Sequence, residues 1–401
     1  TLDRANAIWT LTSTGSMRNP NPNGGNVTKT LTAKVTVVPT VTQPLNTPAW
    51  NYIYSTHTGS ACDQTLNNNV GGSSRMYIMG NLCIGNNAGV TSSSLMVQGN
   101  LDLSNNTSVG VSTNMGTRVE TYVGGNCRYG SNNPPWVVCT GNQDSRHIYS
   151  KLSDGATVGV NHTVPVIAAP AADFNTWYQN AIPGPAQSCT YTSGTVPVFD
   201  NNYPTNDLAT GGSVPTIFDL TPSSSYECRV GPSGSPSGLL KWDASTKTLT
   251  VSGTIYIDGS AKIGNGALNQ YNGQATLYLA GTFYLSGKLC GGVSGSNCDF
   301  PSWNPNTEMF TIVAHGTGGQ VNPGDSIQVA NNGSFQGGLF GTGNVDYGNN
   351  AYSDGPIVGS QIIISNNVTT NAFATITTVP VGQPGNPEVY AQPNPPQNFS
   401  G

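Results

Sequence analysis

The sequence predicts an all-β chain, a right-handed parallel β-helix (β-solenoid) with an N-terminal hairpin and a disulfide-tied irregular insertion. Three observations carry this expectation. First, residues 247–289 hold one unit twice: LTVSGTIYI at 249–257 is answered by LYLAGTFYL at 277–285, 28 residues on. Both runs alternate apolar with small or polar residues, the pattern of a half-buried strand, and the steps Gly253-Thr254 and Gly281-Thr282 mark bends. Second, MYIMGNLCI at 76–84 is followed 19 residues later by LMVQGNLDL at 95–103, with YVGGNC at 122–127 as a degenerate third copy. Similar units at such spacing read as successive layers of a stacked repeat. Third, 50 of 401 residues are Gly and only 8% are charged. Long surface helices need Glu, Lys and Arg, whereas Thr, Val, Tyr and Ile between Gly and Asn turns favour strands.

Taken in order, residues 1–60 read as a hairpin and connector. AIWTLTST at 7–14 and TLTAKVTV at 30–37 alternate on either side of the turn segment NPNPNGG at 19–25. Residues 61–127 hold the first repeats, in which the Gly-Asn steps can form ladders of Asn between layers. Residues 128–246 form the irregular insertion, with one helix expected over 171–181, stopped by Pro183 and Gly184. Phe218 and Leu220 share the face of a short strand there. Residues 247–379 hold the main repeats, including FTIV at 310–313, IQV at 327–329, and two runs at 337–346 and 355–364 that align at a spacing of 17. They are expected to continue the same stack. Residues 380–401 are a Pro-rich tail, expected to lie extended.

The net charge is −5 with 14 basic residues and no basic stripe, which argues against a nucleic-acid partner. No apolar run is long enough to span a membrane as a helix. The sequence opens on Thr1 without a signal segment, which reads as a processed or truncated form. Eight Cys and no CxxC spacing favour disulfides over zinc. Pairing in chain order gives Cys62–Cys83, Cys127–Cys139, Cys189–Cys228 and Cys290–Cys298. Each closes a short loop, contributing ~2–4 kcal/mol, and together they point to an extracellular or cell-surface location.

No catalytic, cofactor-binding or metal-binding residue is assigned from the sequence. Asp258, Asp346 and Asp354 sit beside turns, where neighbouring layers could bring two carboxylates together, although Asp also favours turns for its own backbone bonds. His57, His147, His162 and His315 have no ligand spacing. Trp50, Trp136, Trp177, Trp242 and Trp303 could contact a glycan. Tyr256 and Tyr284 occupy matching places in the 28-residue unit and would stack between layers. Sequons stand at Asn26, Asn105, Asn106, Asn161, Asn332, Asn367 and Asn398, open to glycosylation in a host that performs it.

Four segments carry a resemblance: TLDRANAIWTLTSTG at 1–15, DFNTWYQNAIPGP at 173–185, LTVSGTIYIDGSA at 249–261 and TTVPVGQPGNPEVYAQPNPPQNFSG at 377–401. In these the chain resembles large bacterial surface proteins of actinobacterial type. That family has a pilin-like apolar N-terminal helix and a Gly/Asn-rich β-helical ectodomain, and is associated with type IV pili. The sequence lacks that helix. The resemblance implies no catalytic residues. From the repeat, the cysteine usage and the lack of a catalytic constellation, the expected function is a structural protein of the bacterial cell surface, the ectodomain or a subunit of a pilus-like extracellular filament. Its partners would be copies of itself, pilin-like subunits or glycans. The alternatives are a polysaccharide-active β-helix enzyme and a glycan-binding adhesin.

Overall fold

The computed structural model describes residues 2–3, 8–21, 24–41, 48–110, 118–130, 134–139, 142–143, 146–151, 159–181, 187–191, 217–230, 238–257, 259–264, 266–385, 389–393 and 397–400. The chain divides into two compact units, residues 1–44 with 387–401, and residues 45–386. Both are built from strands. The described helices are limited to Phe174–Ala181 and the short turn Pro48–Asn51. No described helix is long and apolar enough to cross a membrane.

In the first unit Ile8–Met17 and Val27–Val41 form the expected antiparallel hairpin, with Met17 opposite Val27. Asn19 closes its turn by accepting a bond from the Asn21 N–H. The tail is not merely extended. Val389–Pro393 and Gln397–Ser400 both pair antiparallel with Val27–Val41.

The second unit is built from repeats of three short strands. One repeat has Ile53–Ser55, Gln64–Leu66 and Gly71–Gly72; the next has Met76–Ile78, Leu82–Ile84 and Gly89–Val90. The third has Ser94–Val97, Leu101–Leu103 and Ser108–Val109. Each strand pairs in parallel with its counterpart. Leu95 lies opposite Met76 and Leu101 opposite Leu82, which is the 19-residue spacing of the sequence. Val345 opposite Ile362 gives the expected spacing of 17.

The order of the repeats in space differs from their order in the chain. The last repeat docks on the first: Ile357 lies opposite Ile53, Ile364 opposite Leu66, and Thr369 opposite Gly71. Along one face the strands therefore run Thr248–Ile257, Leu268–Leu279, Met309–Ala314, Gly338–Gly341 and Ile357–Gly359, then Ile53–Ser55, Met76–Ile78, Ser94–Val97 and Glu120–Val123. The physical reason is that both junction strands would otherwise leave a row of unpaired backbone groups on an apolar layer. Joining them satisfies both edges. Inside, Leu277, Ile312, Leu339, Ile357, Ile53, Met76 and Leu95 form one buried row across the junction.

The 28-residue alignment of the sequence is out of register. Tyr256 lies opposite Tyr278, an offset of 22, while Tyr284 lies opposite Lys262 and Gln328 on another face. The two Gly-Thr steps serve different purposes. Gly253, at φ +67°, bends the strand Thr248–Ile257 internally. Gly281 sits at a corner, donating to the Gly259 carbonyl and accepting from the Gly316 N–H at 2.9 Å each, and a Cβ there would collide with Ser260.

Two kinds of Asn ladder tie the layers. At the Gly-Asn corners, the Asn81 N–H donates to Asp63, the Asn100 N–H to Asn81, and the Asn126 N–H to Asn100, at 2.7–2.8 Å. The second ladder follows Asn-Asn turns at 331–332, 349–350, 366–367, 68–69, 86–87 and 105–106. The second Asn of each pair is left-handed, with φ between +53° and +61°. The first passes its side-chain oxygen to the next layer, as Asn331 to the Asn349 N–H at 2.7 Å and Asn68 to the Asn86 N–H at 3.0 Å.

The outward row of the long face is aromatic and closed. It runs Tyr256, Tyr278, Val313, Phe340, Val358, Tyr54, Tyr77, Met96 and Tyr122, each opposite the next. Two straps cover it. Residues 159–177 cross the layers in reverse: Val164 packs at Gly124, the Pro165 carbonyl accepts from Gln98, the Ile167 carbonyl accepts from the Tyr54 hydroxyl at 2.7 Å, and Phe174 meets Tyr278 edge-on at 5.2 Å. Residues 373–385 run beside them. There the Gly382 carbonyl accepts from the Tyr278 hydroxyl and the Pro384 carbonyl from Trp50 Nε1, both at 2.7 Å. Asp173 caps the helix Phe174–Ala181 by accepting the Thr176 N–H. Part of the stretch read as an irregular insertion is therefore a return strap.

Cys62–Cys83, Cys127–Cys139 and Cys290–Cys298 are disulfides. Cys228 is disulfide-bonded and lies opposite Cys189, whose side chain is outside the described residues. Such disulfides form and persist in a non-reducing compartment.

Candidate functional site

The five candidate tryptophans do not form an exposed row. Trp50, Trp242 and Trp303 are buried, and each indole N–H donates to a carbonyl: Pro384, Pro222 and Glu308 at 2.7, 2.8 and 2.8 Å. A sugar ring cannot reach them in this structure. Trp177 is half-buried, with its ring 5.9 Å from that of Tyr278. Trp136 is the exposed one, 41% accessible, with the Arg128 guanidinium 4.7 Å over its ring.

The three sequence-marked carboxylates are not brought together as a set. Asp258 lies outside the described residues. Asp346, on the strand Asn344–Tyr347, accepts from Asn322 and Gln328 at 3.0 and 3.4 Å. Asp354, on the strand Tyr352–Asp354 of a different sheet, accepts from Gln336 at 3.0 Å and from Asn371. Burial pushes both carboxyls above the usual range, against the pull of these amides. The pair that does form is Asp325 with Asp346. Burial, reinforced by the Asp346 charge, pushes Asp325 up to about 6, and its Oδ2 has no hydrogen-bond partner among the described residues. Only the layer spacing, which places the strand 325–329 against 344–347, could have revealed it in the sequence.

Of the histidines, His57 Nδ1 bonds the buried Asp63 at 2.9 Å, His162 bonds the Val123 carbonyl at 2.9 Å, and His315 packs on Phe174 at 4.8 Å between rings. The His147 side chain is outside the described residues. Among the described residues no group of three or more His, Cys, Asp or Glu is placed to hold a metal ion.

A concave site lies on the third strand of the repeats, a cavity of about 480 Å³. Its floor is two rows across successive layers. Lys288, Ser334, Tyr352 and Thr369 lie side by side in one, and Gln336, Asp354 and Asn371 in the other. The left-handed Asn332 and Asn350 flank Tyr352. The wall is the hairpin of Val293–Ser294 and Asn297–Cys298, pinned by Cys290–Cys298, with Phe300 beyond it. The hairpin is fixed to the floor twice: the Gly292 N–H donates to Gln336 at 2.9 Å, and Lys288 Nζ donates to the Ser296 carbonyl at 3.1 Å. Tyr352 is 49% exposed. Sequence reasoning missed this site because its residues come from five separate segments.

No family model, curated relative or solved structure matches the chain.

Proposed function

We propose that residues 45–386 form a right-handed parallel β-helix, and that the protein is a structural component of the bacterial cell surface, the ectodomain or a subunit of a pilus-like extracellular filament. The observation that carries this is the use of the polar side chains. The Asn ladders, the corner Asp63 and the outward Tyr hydroxyls bond neighbouring layers or straps, which ties the layers together. Disulfides at several layers add resistance outside the cell.

Both ends of the stack carry covers. At one, Tyr226–Val230 and Gly238–Asp243 pair antiparallel outside Thr248–Ile257. At the other, Val137 bridges Cys127 antiparallel beside the Cys127–Cys139 bond. Covered ends disfavour growth by adding strands end to end. Assembly would instead use side surfaces such as the hairpin, where Leu11, Met17, Val27 and Leu31 are exposed. Sedimentation and electron microscopy of material taken from the cell surface test the reading. Elongated particles or filaments in which the chain is a stoichiometric component are expected. A compact, freely secreted monomer alone would overturn it.

A further inference from the structure

We propose that the cavity beneath the Cys290–Cys298 hairpin binds a neutral linear glycan laid along the layers. The inference is independent of the filament reading, because it rests on one face of a single chain.

The chemistry of the lining selects the ligand. It holds one cation, Lys288, and one carboxylate, Asp354. Lys288 is already engaged by the hairpin and Asp354 by two amides. Neither charge is left to recognise an ion, so a phosphate or nucleotide finds no clamp. A peptide strand finds no edge either, since the central floor strands Ser334–Gln336 and Tyr352–Asp354 are paired on both sides. What remains is four carboxamides around an exposed phenol ring: Asn332, with no side-chain bond, and Asn297, Asn350 and Asn371, each of which gives one end of its amide to Lys288, Asn367 or Asp354 and keeps the other end open. An amide offers both a donor and an acceptor, as a sugar hydroxyl does. The ring offers an apolar face to the C–H face of a pyranose.

Two further observations support this. Among the described residues the side chain of Asn332 has no hydrogen-bond partner, so both ends of its amide are open, whereas Asn106 and Asn367 donate to the ladder neighbours Asn87 and Asn350. Asn332 and Asn350 also repeat across adjacent layers. Neighbouring strands lie ~4.8 Å apart, close to the advance per residue of an extended β-linked hexose chain. Consecutive sugars would then meet equivalent partners. The volume of about 480 Å³ falls within the usual range of small-ligand sites.

The test uses the full chain and ligand-observed NMR with four neutral tetrasaccharides, the cello-, malto-, manno- and chito-oligomers, plus tetragalacturonate as the acidic arm. The wild type is expected to bind at least one neutral member. Tyr352→Ala should weaken it by about fivefold to tenfold, and Tyr352→Phe by less than about twofold. Trp136→Ala should leave it unchanged. An unchanged melting profile for the exposed Tyr352 variants separates lost binding from lost folding. Binding of none of the five, binding of tetragalacturonate alone, or binding indifferent to Tyr352→Ala would each overturn the proposal.

Discussion

Tyr278 joins the stack to both straps, so its replacement reports how much they hold. It is 1% exposed, meets Phe174 edge-on at 5.2 Å, lies 5.9 Å from Trp177, and donates to the Gly382 carbonyl at 2.7 Å. Tyr278→Phe keeps the ring and leaves one buried carbonyl without its donor, costing about 1–2 kcal/mol. Tyr278→Ala removes the ring as well and opens a cavity between stack and straps, costing about 3–5 kcal/mol. A double-mutant cycle with Phe174→Leu should return a coupling of about 0.5–1.5 kcal/mol for the aromatic pair. Urea unfolding followed by circular dichroism gives these differences, and limited proteolysis should cut residues 159–177 sooner in the Ala variant. A Tyr278→Ala cost below about 1 kcal/mol, or one equal to that of Tyr278→Phe, would refute the role given to the straps.

Other outcomes follow from the same geometry. The folded state raises the Asp325 pKa from its ordinary value to about 6, so the fold holds this proton more tightly than the unfolded chain does. Stability should therefore fall as pH rises from about 4 through about 6, by at most about 3 kcal/mol. Asp325→Asn should flatten that slope in pH-dependent melting, and an unchanged slope would contradict it. Asn350, at φ +57°, should tolerate Gly but lose about 1 kcal/mol as Ala, measured by thermal unfolding. Removing Cys62–Cys83 as a Ser pair should cost about 3 kcal/mol in denaturant titration, from the loop it closes.

Much of the architecture was legible because it is local. The hairpin at 8–41, the 19-residue offset and the 17-residue offset all rest on period-two alternation between turn residues, which survives without tertiary information. The chain-order cysteine pairs at 62–83, 127–139 and 290–298 were legible because each joins neighbouring segments. The docking of 357–371 on 53–72 was not, since no local pattern says which layer edge meets which. The misreading of Tyr284 has a related cause: a Gly-Thr step looks the same at an internal bend and at a corner. The six Asn-Asn turns of the repeats were a signal present in the sequence and passed over. Their recurrence before a small or apolar residue marks the left-handed turn of each layer. The lining of the candidate glycan site stayed hidden because Lys288, Asn332, Tyr352 and Asn371 meet only through the layer register.

The central claim is that the last repeat closes on the first. The most direct test places cysteines at Gly71 and Thr369, which lie opposite each other in parallel strands. A Cβ at Gly71 meets nothing within 4 Å, and strand partners are close enough for a disulfide. The account predicts that Gly71→Cys with Thr369→Cys gives a new cross-linked peptide by mass spectrometry of the oxidised, folded protein, with the native pairs intact. A stack that followed chain order would keep these positions at opposite ends, and the absence of that peptide would contradict the account.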